Sequence, residues 1–228
     1  MTLQQIKKAI GKGNFPKSNT KLTFPDFALS PKNCITGRKL SKLPLSTCSI
    51  CYGKKGNYTF PNVEKSCQKR KNLIDKELFN LETWLIFLLK TYHVEYFRFF
   101  ANGDLQSFEN LVSFAKVAYS CEKVNFWLST KEVKFINKYL ETFGTFPENL
   151  NIRLSNYFIN SIKFNNSVFL KDKVTFSSVN LDKEKQGKKG FITCPAYRKS
   201  RRTSDFGTCG SCKACFSKKV LNINYIKH

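Results

Sequence analysis

The sequence predicts an α/β fold, a partial (β/α) barrel of mainly parallel strands closed by a C-terminal cysteine-rich metal-binding loop. Three observations predict it. Apolar, strand-like runs alternate with helical stripes between residues 24 and 180, the pattern of parallel βα units. Each run ends in small polar residues: Asn102, Gly103 and Asp104; Ser129 and Thr130; Arg153, Ser155 and Asn156; Ser177, Ser178 and Asn180. Open parallel sheets and barrels both bind ligands at such C-terminal strand ends. Finally, four of the nine cysteines stand between Cys194 and Cys215, three of them at strict two-residue intervals. The chain divides accordingly into a basic extension (1–23), an α/β partial barrel (24–190) and a four-cysteine segment (191–228).

In chain order, a short helix is expected near Leu3–Ile10 and a strand over Phe24–Leu29, bounded by Pro25 and Pro31. Pro44, Gly53 and Gly56 mark the stretch around Cys48 and Cys51 as loop. Val63–Leu73 reads as helix, and 77–91 carries a stripe at Leu78, Leu81, Leu85 and Leu88. Val94–Ala101 is an aromatic strand. Ser107 caps a helix striped at Phe108, Leu111, Val112, Ala115 and Tyr119. Val124–Leu128 is the next strand, and Thr130 is expected to cap a helix over Lys131–Phe143. Asn151–Leu154 and Val174–Ser178 complete the strands.

The cysteines fall into two groups. Cys194, Cys209, Cys212 and Cys215 have small residues between them (Gly210, Ser211, Ala214), so the backbone can fold closely around the sulfurs. Soft thiolates so placed select an iron–sulfur cluster or zinc. The run of three with a distant fourth favours a [4Fe–4S] cluster over the paired spacing of structural zinc. Cys34, Cys48 and Cys51 form a second group. Three thiolates on a cube leave one iron open, whereas addition of Cys67 would give a four-cysteine zinc site. Cys121 reads as a core residue. A disulfide knot would need an oxidising compartment, and the chain opens without a signal peptide, so a reducing cytoplasm is expected.

The chain has 228 residues and a formal charge of +23, from 39 Lys and Arg against 16 Asp and Glu. Such a balance suits a polyanionic partner, nucleic acid or a phosphate-bearing substrate, although a lysine-rich codon bias would raise it without function. Arg198, Lys199, Arg201 and Arg202, inside the cysteine segment, are the candidate phosphate contacts. The longest apolar run, Trp84–Leu89, is far short of the ~18 residues of a membrane span. With His93 and His228 as the two histidines, a histidine-based hydrolase is not expected, and no phosphate-cradling Gly-x4-Gly-Lys-Ser/Thr stretch is present.

The chain also resembles a family. Cys51-Tyr-Gly-Lys-Lys-Gly56, Phe97-Arg-Phe-Phe-Ala-Asn-Gly-Asp104, Ile152-Arg-Leu-Ser155, Cys194-Pro-Ala196 and Cys209-Gly-Ser-Cys-Lys-Ala-Cys-Phe216 carry the likeness. So does the closing Val220-x-Asn-x-x-Tyr-x-x-His228. Over about residues 24–228 they resemble the phage-encoded family called gene product eighty-eight, which in turn is similar to radical S-adenosylmethionine enzymes. The likeness implies a [4Fe–4S] cluster on Cys34, Cys48 and Cys51 and an auxiliary cluster on the C-terminal four. It further implies S-adenosylmethionine held by Asn102, Gly103, Asp104 and Ser129, with Asp104 accepting from the methionine amino group. Arg153 and Ser155 are then candidate substrate contacts and, with Asp104, the candidate catalytic residues of a protein expected in the host cytoplasm. The spacing Cys34-x13-Cys48-x2-Cys51 departs from the usual Cys-x3-Cys-x2-Cys. The non-catalytic alternative is a zinc or iron–sulfur protein that binds nucleic acid through charge and aromatic stacking.

Overall fold

A computed structural model of the chain describes residues 1–13, 15–17, 22–161, 173–180, 191–197 and 208–226. Its centre is a seven-stranded, all-parallel sheet. The strands are β1 (Asp26–Phe27), β2 (Tyr96–Phe99), β3 (Asn125–Thr130), β4 (Leu150–Ser155), β5 (Thr175–Asn180), β6 (Phe191–Thr193) and β7 (Asn222–Ile226). They lie in the order β1-β2-β3-β4-β5-β7-β6. The first five neighbour one another in chain order, and the last strand then inserts between β5 and β6. The helices are α1 (Leu3–Ala9), α2 (Ile35–Leu40), α3 (Pro61–Lys76), α4 (Leu78–Thr91), α5 (Phe108–Ser120) and α6 (Val133–Phe143).

Strand alternation gives the sheet two unlike faces. Phe97, Phe99, Phe126, Leu128, Leu150, Ile152 and Leu154 point to one face and join the hydrophobic core with α4, α5 and α6. Phe99 stacks on Phe114 of α5 at 4.2 Å and on Phe126 at 5.3 Å between ring centroids. The opposite face carries Tyr96, Arg98, Trp127, Asn151 and Arg153. The C-terminal chain covers it: Phe216 sets its edge against Tyr96, Trp127 and Phe24 at 5.0, 5.9 and 4.9 Å.

Local chemistry explains the helix starts. Thr2 and Gln5 form a reciprocal capping box on α1. Its continuation, Ile10 and Phe15, is buried in the main core, so the basic first segment packs with the sheet and its helices. Ser107 accepts from the Asn110 amide at the start of α5, as expected. Thr130 does not cap α6. Glu132 holds the cap position without a side-chain bond, and the Thr130 hydroxyl, one turn short of the helix, donates to Asp104 at 2.6 Å and accepts from the Glu132 amide at 3.0 Å. Three elements depart from the expected pattern. Helix α2 lies in a stretch for which the sequence predicts no element, since six residues around a glycine show no period. Strands β6 and β7 lie in the cysteine segment, which therefore completes the sheet as well as carrying thiols. Among the described residues, no helix is long and apolar enough to cross a membrane.

Candidate metal centres

The first cysteine group lies beyond the C-terminal ends of β1 to β4. Cys34 starts α2, and the helix turns the chain back toward Cys48 and Cys51. Gly37 makes the approach possible. A methyl group there would stand 2.9 Å from the Cys34 Cβ and 3.6 Å from the sulfurs of both Cys34 and Cys48. Burial, then Asp104 and the other two thiols, pushes the Cys34 thiol well above its ordinary pKa, against the pull of Lys131. Cys48 is raised by burial as well, and Lys131 again opposes. The three thiols, Asp104 and Lys131 thus share one electrostatic neighbourhood. A bound cation would reverse its logic and favour thiolate.

Backbone contacts lock this loop onto the sheet. Leu29 N–H donates to the Asn102 carbonyl at 2.8 Å, and Ala101 N–H donates to Phe27 at 2.9 Å. The Tyr52 hydroxyl donates to the Ala101 carbonyl. Gly53 lies so close to Asn102 that a Cβ would fall 2.1 Å from its Oδ1. Gly103, at φ +86°, packs where a Cβ would meet the Leu29 side chain at 2.5 Å. The segment after β2 therefore lies directly against the cysteine turn. Thr36 donates twice to Glu132, from its amide and its hydroxyl, at 2.8 and 3.0 Å. Thr47 donates its hydroxyl to the Asn156 carbonyl at 2.9 Å. These two tie the loop to the ends of β3 and β4.

Asp104 is buried. Its Oδ1 accepts from the Thr130 hydroxyl at 2.6 Å and the Leu105 amide at 2.8 Å, and its Oδ2 accepts from the Lys131 amide at 2.9 Å. A carboxylate has about four accepting positions, so one remains. Burial pushes its pKa up to about 6, against those hydrogen bonds and with help from the Glu132 charge. Asn102 Oδ1 accepts from Gly103, while its buried Nδ2 has no hydrogen-bond partner. Ser129 is half-buried, and the Ser155 and Ser177 hydroxyls meet at 3.2 Å.

The second group lies on the other face. Cys194, Cys209, Cys212 and Cys215 together line a cavity of about 20 Å³, walled by Phe24, Ile192 and Ile223. Burial raises Cys194 to about 12 and Cys215 to about 11. The other thiols add to the rise of Cys194, and Arg153 and Tyr225 restrain that of Cys215. Asn151 Nδ2 donates to the Cys215 carbonyl at 2.9 Å, and the Tyr225 hydroxyl lies 3.5 Å from its sulfur. Arg153, expected at a substrate, is fully buried. Its guanidinium donates to Phe176 and Val220 carbonyls at 2.6 and 3.2 Å, and to Ala214, Cys215 and Ser217 at 3.5 Å.

Of the remaining candidates, Cys67 is buried in α3 and accepts from Arg70 Nη2 at 3.3 Å, while Arg70 also donates to Gly11 at 2.9 Å. Cys121 is a core residue, as expected. Arg198, Lys199, Arg201 and Arg202 lie outside the described residues. Lys131, Glu132, Thr36 and Gly37 had no signal in the sequence, because each acts through a contact made across the fold. Arg98 had one, as a lone cation in an aromatic strand. Among the described residues, no group of three or more His, Cys, Asp and Glu side chains is gathered so as to hold a metal ion.

A family described as gene product 88 matches residues 4–218. No curated protein and no solved structure matches the chain.

Proposed function

We propose that this chain, which belongs to the gene product 88 family, is an iron–sulfur protein and a radical-S-adenosylmethionine-like enzyme acting on a nucleic acid or nucleotide in the host cytoplasm. In this reading β1 to β5 are the staves of a partial barrel, and the segment carrying β6 and β7 closes it. The observation that carries the proposal is the docking of the three-cysteine loop after β1 on Asn102-Gly103-Asp104 after β2, through Gly53 against Asn102 and Gly103 against Leu29. The thiols and the polar groups of Asn102 and Asp104 thereby lie side by side at the C-terminal strand ends, which supports the reading.

The spacing of the C-terminal cysteines, a run of three with a distant fourth rather than two pairs, favours a cluster over a single zinc ion. A cube takes one thiolate at each iron, and the four C-terminal cysteines line one cavity. Cys34, Cys48 and Cys51 would hold the first cluster beneath Gly37. Such a cluster supplies an open iron and one-electron chemistry. The chain's own part is to bind and orient. Asp104 offers its remaining lone pair to a cationic amino group, and the unpartnered Asn102 Nδ2 offers a donor. Glu132 and Thr36 keep the loop closed over both.

The test is anaerobic iron and sulfide analysis with equilibrium dialysis of S-adenosylmethionine. About eight irons per chain is the count for two cubes, and Cys51→Ala should lose roughly half and abolish S-adenosylmethionine binding. A colourless protein whose metal content Cys51→Ala leaves untouched would sink the proposal.

One observation favours a second reading, a polyanion-binding protein without catalysis. Among the described residues there are three ion pairs, Lys12–Asp26, Lys32–Glu64 and Lys71–Asp75, so most of the basic side chains lack an acidic partner. Phosphate contacts of this kind give affinity that falls steeply with salt. Salt-insensitive binding of single-stranded oligonucleotides would eliminate this reading.

A further inference from the structure

Arg153 presents a problem that the fold by itself does not solve. It has no solvent-exposed surface, and a buried guanidinium without a counter-charge costs several kcal/mol. Among the described residues it forms no ion pair with a carboxylate. Its hydrogen bonds all go to backbone carbonyls, four of them on the 214–220 stretch that carries Cys215, and its Nε has no partner. Carbonyl dipoles solvate the cation but leave its charge uncompensated. A second guanidinium, Arg98, lies on the same face. It stacks over Trp127 at 4.0 Å, and its Nε is likewise unpartnered. Asp26 stands opposite Arg98 in register but is paired with Lys12 at 2.9 Å.

The missing negative charge lies beside them. Four thiols line the adjacent cavity, and four thiolates around a divalent ion or a [4Fe–4S]²⁺ cube carry a net charge of about −2 by simple counting. We infer that Arg153, with Arg98 on the same face of the sheet, is the counter-charge of the C-terminal four-cysteine centre, holding the Cys215 loop on the sheet and neutralising the loaded metal–thiolate unit. This rests on the metal reading above. The two halves explain each other. Without the arginines, an anionic centre on this face would be poorly compensated. Without the centre, the buried Arg153 and the half-buried Arg98 would be.

The test uses full-length Cys51→Ala protein, prepared anaerobically, so that the C-terminal centre is the one observed. Arg153→Lys keeps the charge and loses most of the fork of hydrogen bonds. Arg153→Gln keeps hydrogen-bonding capacity and loses the charge. The readouts are metal and sulfide per chain, the rate of metal loss to a chelator, and the midpoint potential if the centre is iron–sulfur. Outer-shell changes typically cost 10–100-fold in metal affinity. Gln is expected to lose metal roughly 10–100-fold faster than the parent, with a potential shifted to more negative values, because reduction adds charge to a less compensated site. Lys is expected to stay close to the parent on both readouts. Gln behaving like the parent, or Lys failing as badly as Gln, would overturn the inference and leave the metal reading standing. A parent protein that binds no metal would overturn both. Should Gln at 153 prevent folding, Arg98→Gln provides the same comparison, and an unchanged chelator rate there overturns the claim.

Discussion

Replacing Gly53 by Ala strikes the contact on which the functional proposal depends. The new methyl carbon would lie 2.1 Å from Asn102 Oδ1 and 2.6 Å from its Cγ and Nδ2. Contacts that short force movement. Asn102 is buried, and its Oδ1 holds the Gly103 amide at 3.0 Å, so the side chain cannot swing away without breaking that bond. The turn must therefore lift, carrying Tyr52 off the Ala101 carbonyl and Cys51 away from the other thiols. Overpacking of this sort costs about 1–3 kcal/mol. At 2–4 °C per kcal/mol for a chain of this size, the melting temperature should fall by roughly 2–12 °C. Gly13→Ala is the control, because nothing lies within 4 Å of its methyl position. The assay is thermal unfolding of both variants beside iron content after anaerobic reconstitution. Gly53→Ala should lose stability and the iron belonging to Cys34, Cys48 and Cys51, and Gly13→Ala should lose neither. If Gly53→Ala keeps full stability and full iron, the two loops are not in register and the argument from their docking fails.

Three more outcomes follow from the same contacts. Asp104 titrates near 6 when folded, against about 3.8 for the ordinary value. The fold thus favours the protonated form, whose contribution is complete below pH ~4 and falls by roughly 3 kcal/mol as pH rises through ~6. In metal-free protein this slope should appear in urea unfolding between pH 4 and 7 and vanish in Asp104→Asn; equal slopes would refute the assignment. Cys67→Ala removes a buried sulfur bonded to Arg70 and should cost about 1–3 kcal/mol with no change in metal content, whereas loss of metal would make Cys67 a ligand. Phe216→Ala strips the ring contacts to Phe24, Tyr96 and Trp127. It should expose the 208–221 loop to protease well below the global unfolding temperature, and uniform loss of stability with no local cleavage would contradict that loop's dependence on the ring.

What could be read from the sequence was local. The stripe Leu81, Leu85, Leu88 and the aromatic run Phe97–Phe100 each carry a period within one element, and both are buried as that period requires. Asn151, Arg153 and Ser155 carry a period too, alternating with Leu150, Ile152 and Leu154, and it reads naturally as a strand with one wet, ligand-facing side. The structure covers that side with a chain segment some 60 residues later, and no local pattern records which segment returns. Both cysteine groups were visible by spacing, whereas what tethers them was not: Gly37, Thr36 and Glu132 reveal themselves only across the fold.

The order of the strands joins these points. Strand β7 pairs with both β5 and β6, yet follows them in the chain, and the cysteine loop is the connection that leads into it. Cys194 directly follows β6, and its amide donates to the β7 carbonyl of Asn224 at 2.9 Å. Tyr225 of β7 reaches the Cys215 sulfur. Completing the sheet and bringing the four cysteines to one cavity are therefore the same event. Whatever binds those thiols in the folded state also stabilises the insertion of β7 by mass action. On this topology, stripping metal from the C-terminal centre should loosen the β5–β7–β6 edge in hydrogen exchange before β2 and β3. Uniform protection with and without metal would separate the two events and remove the coupling.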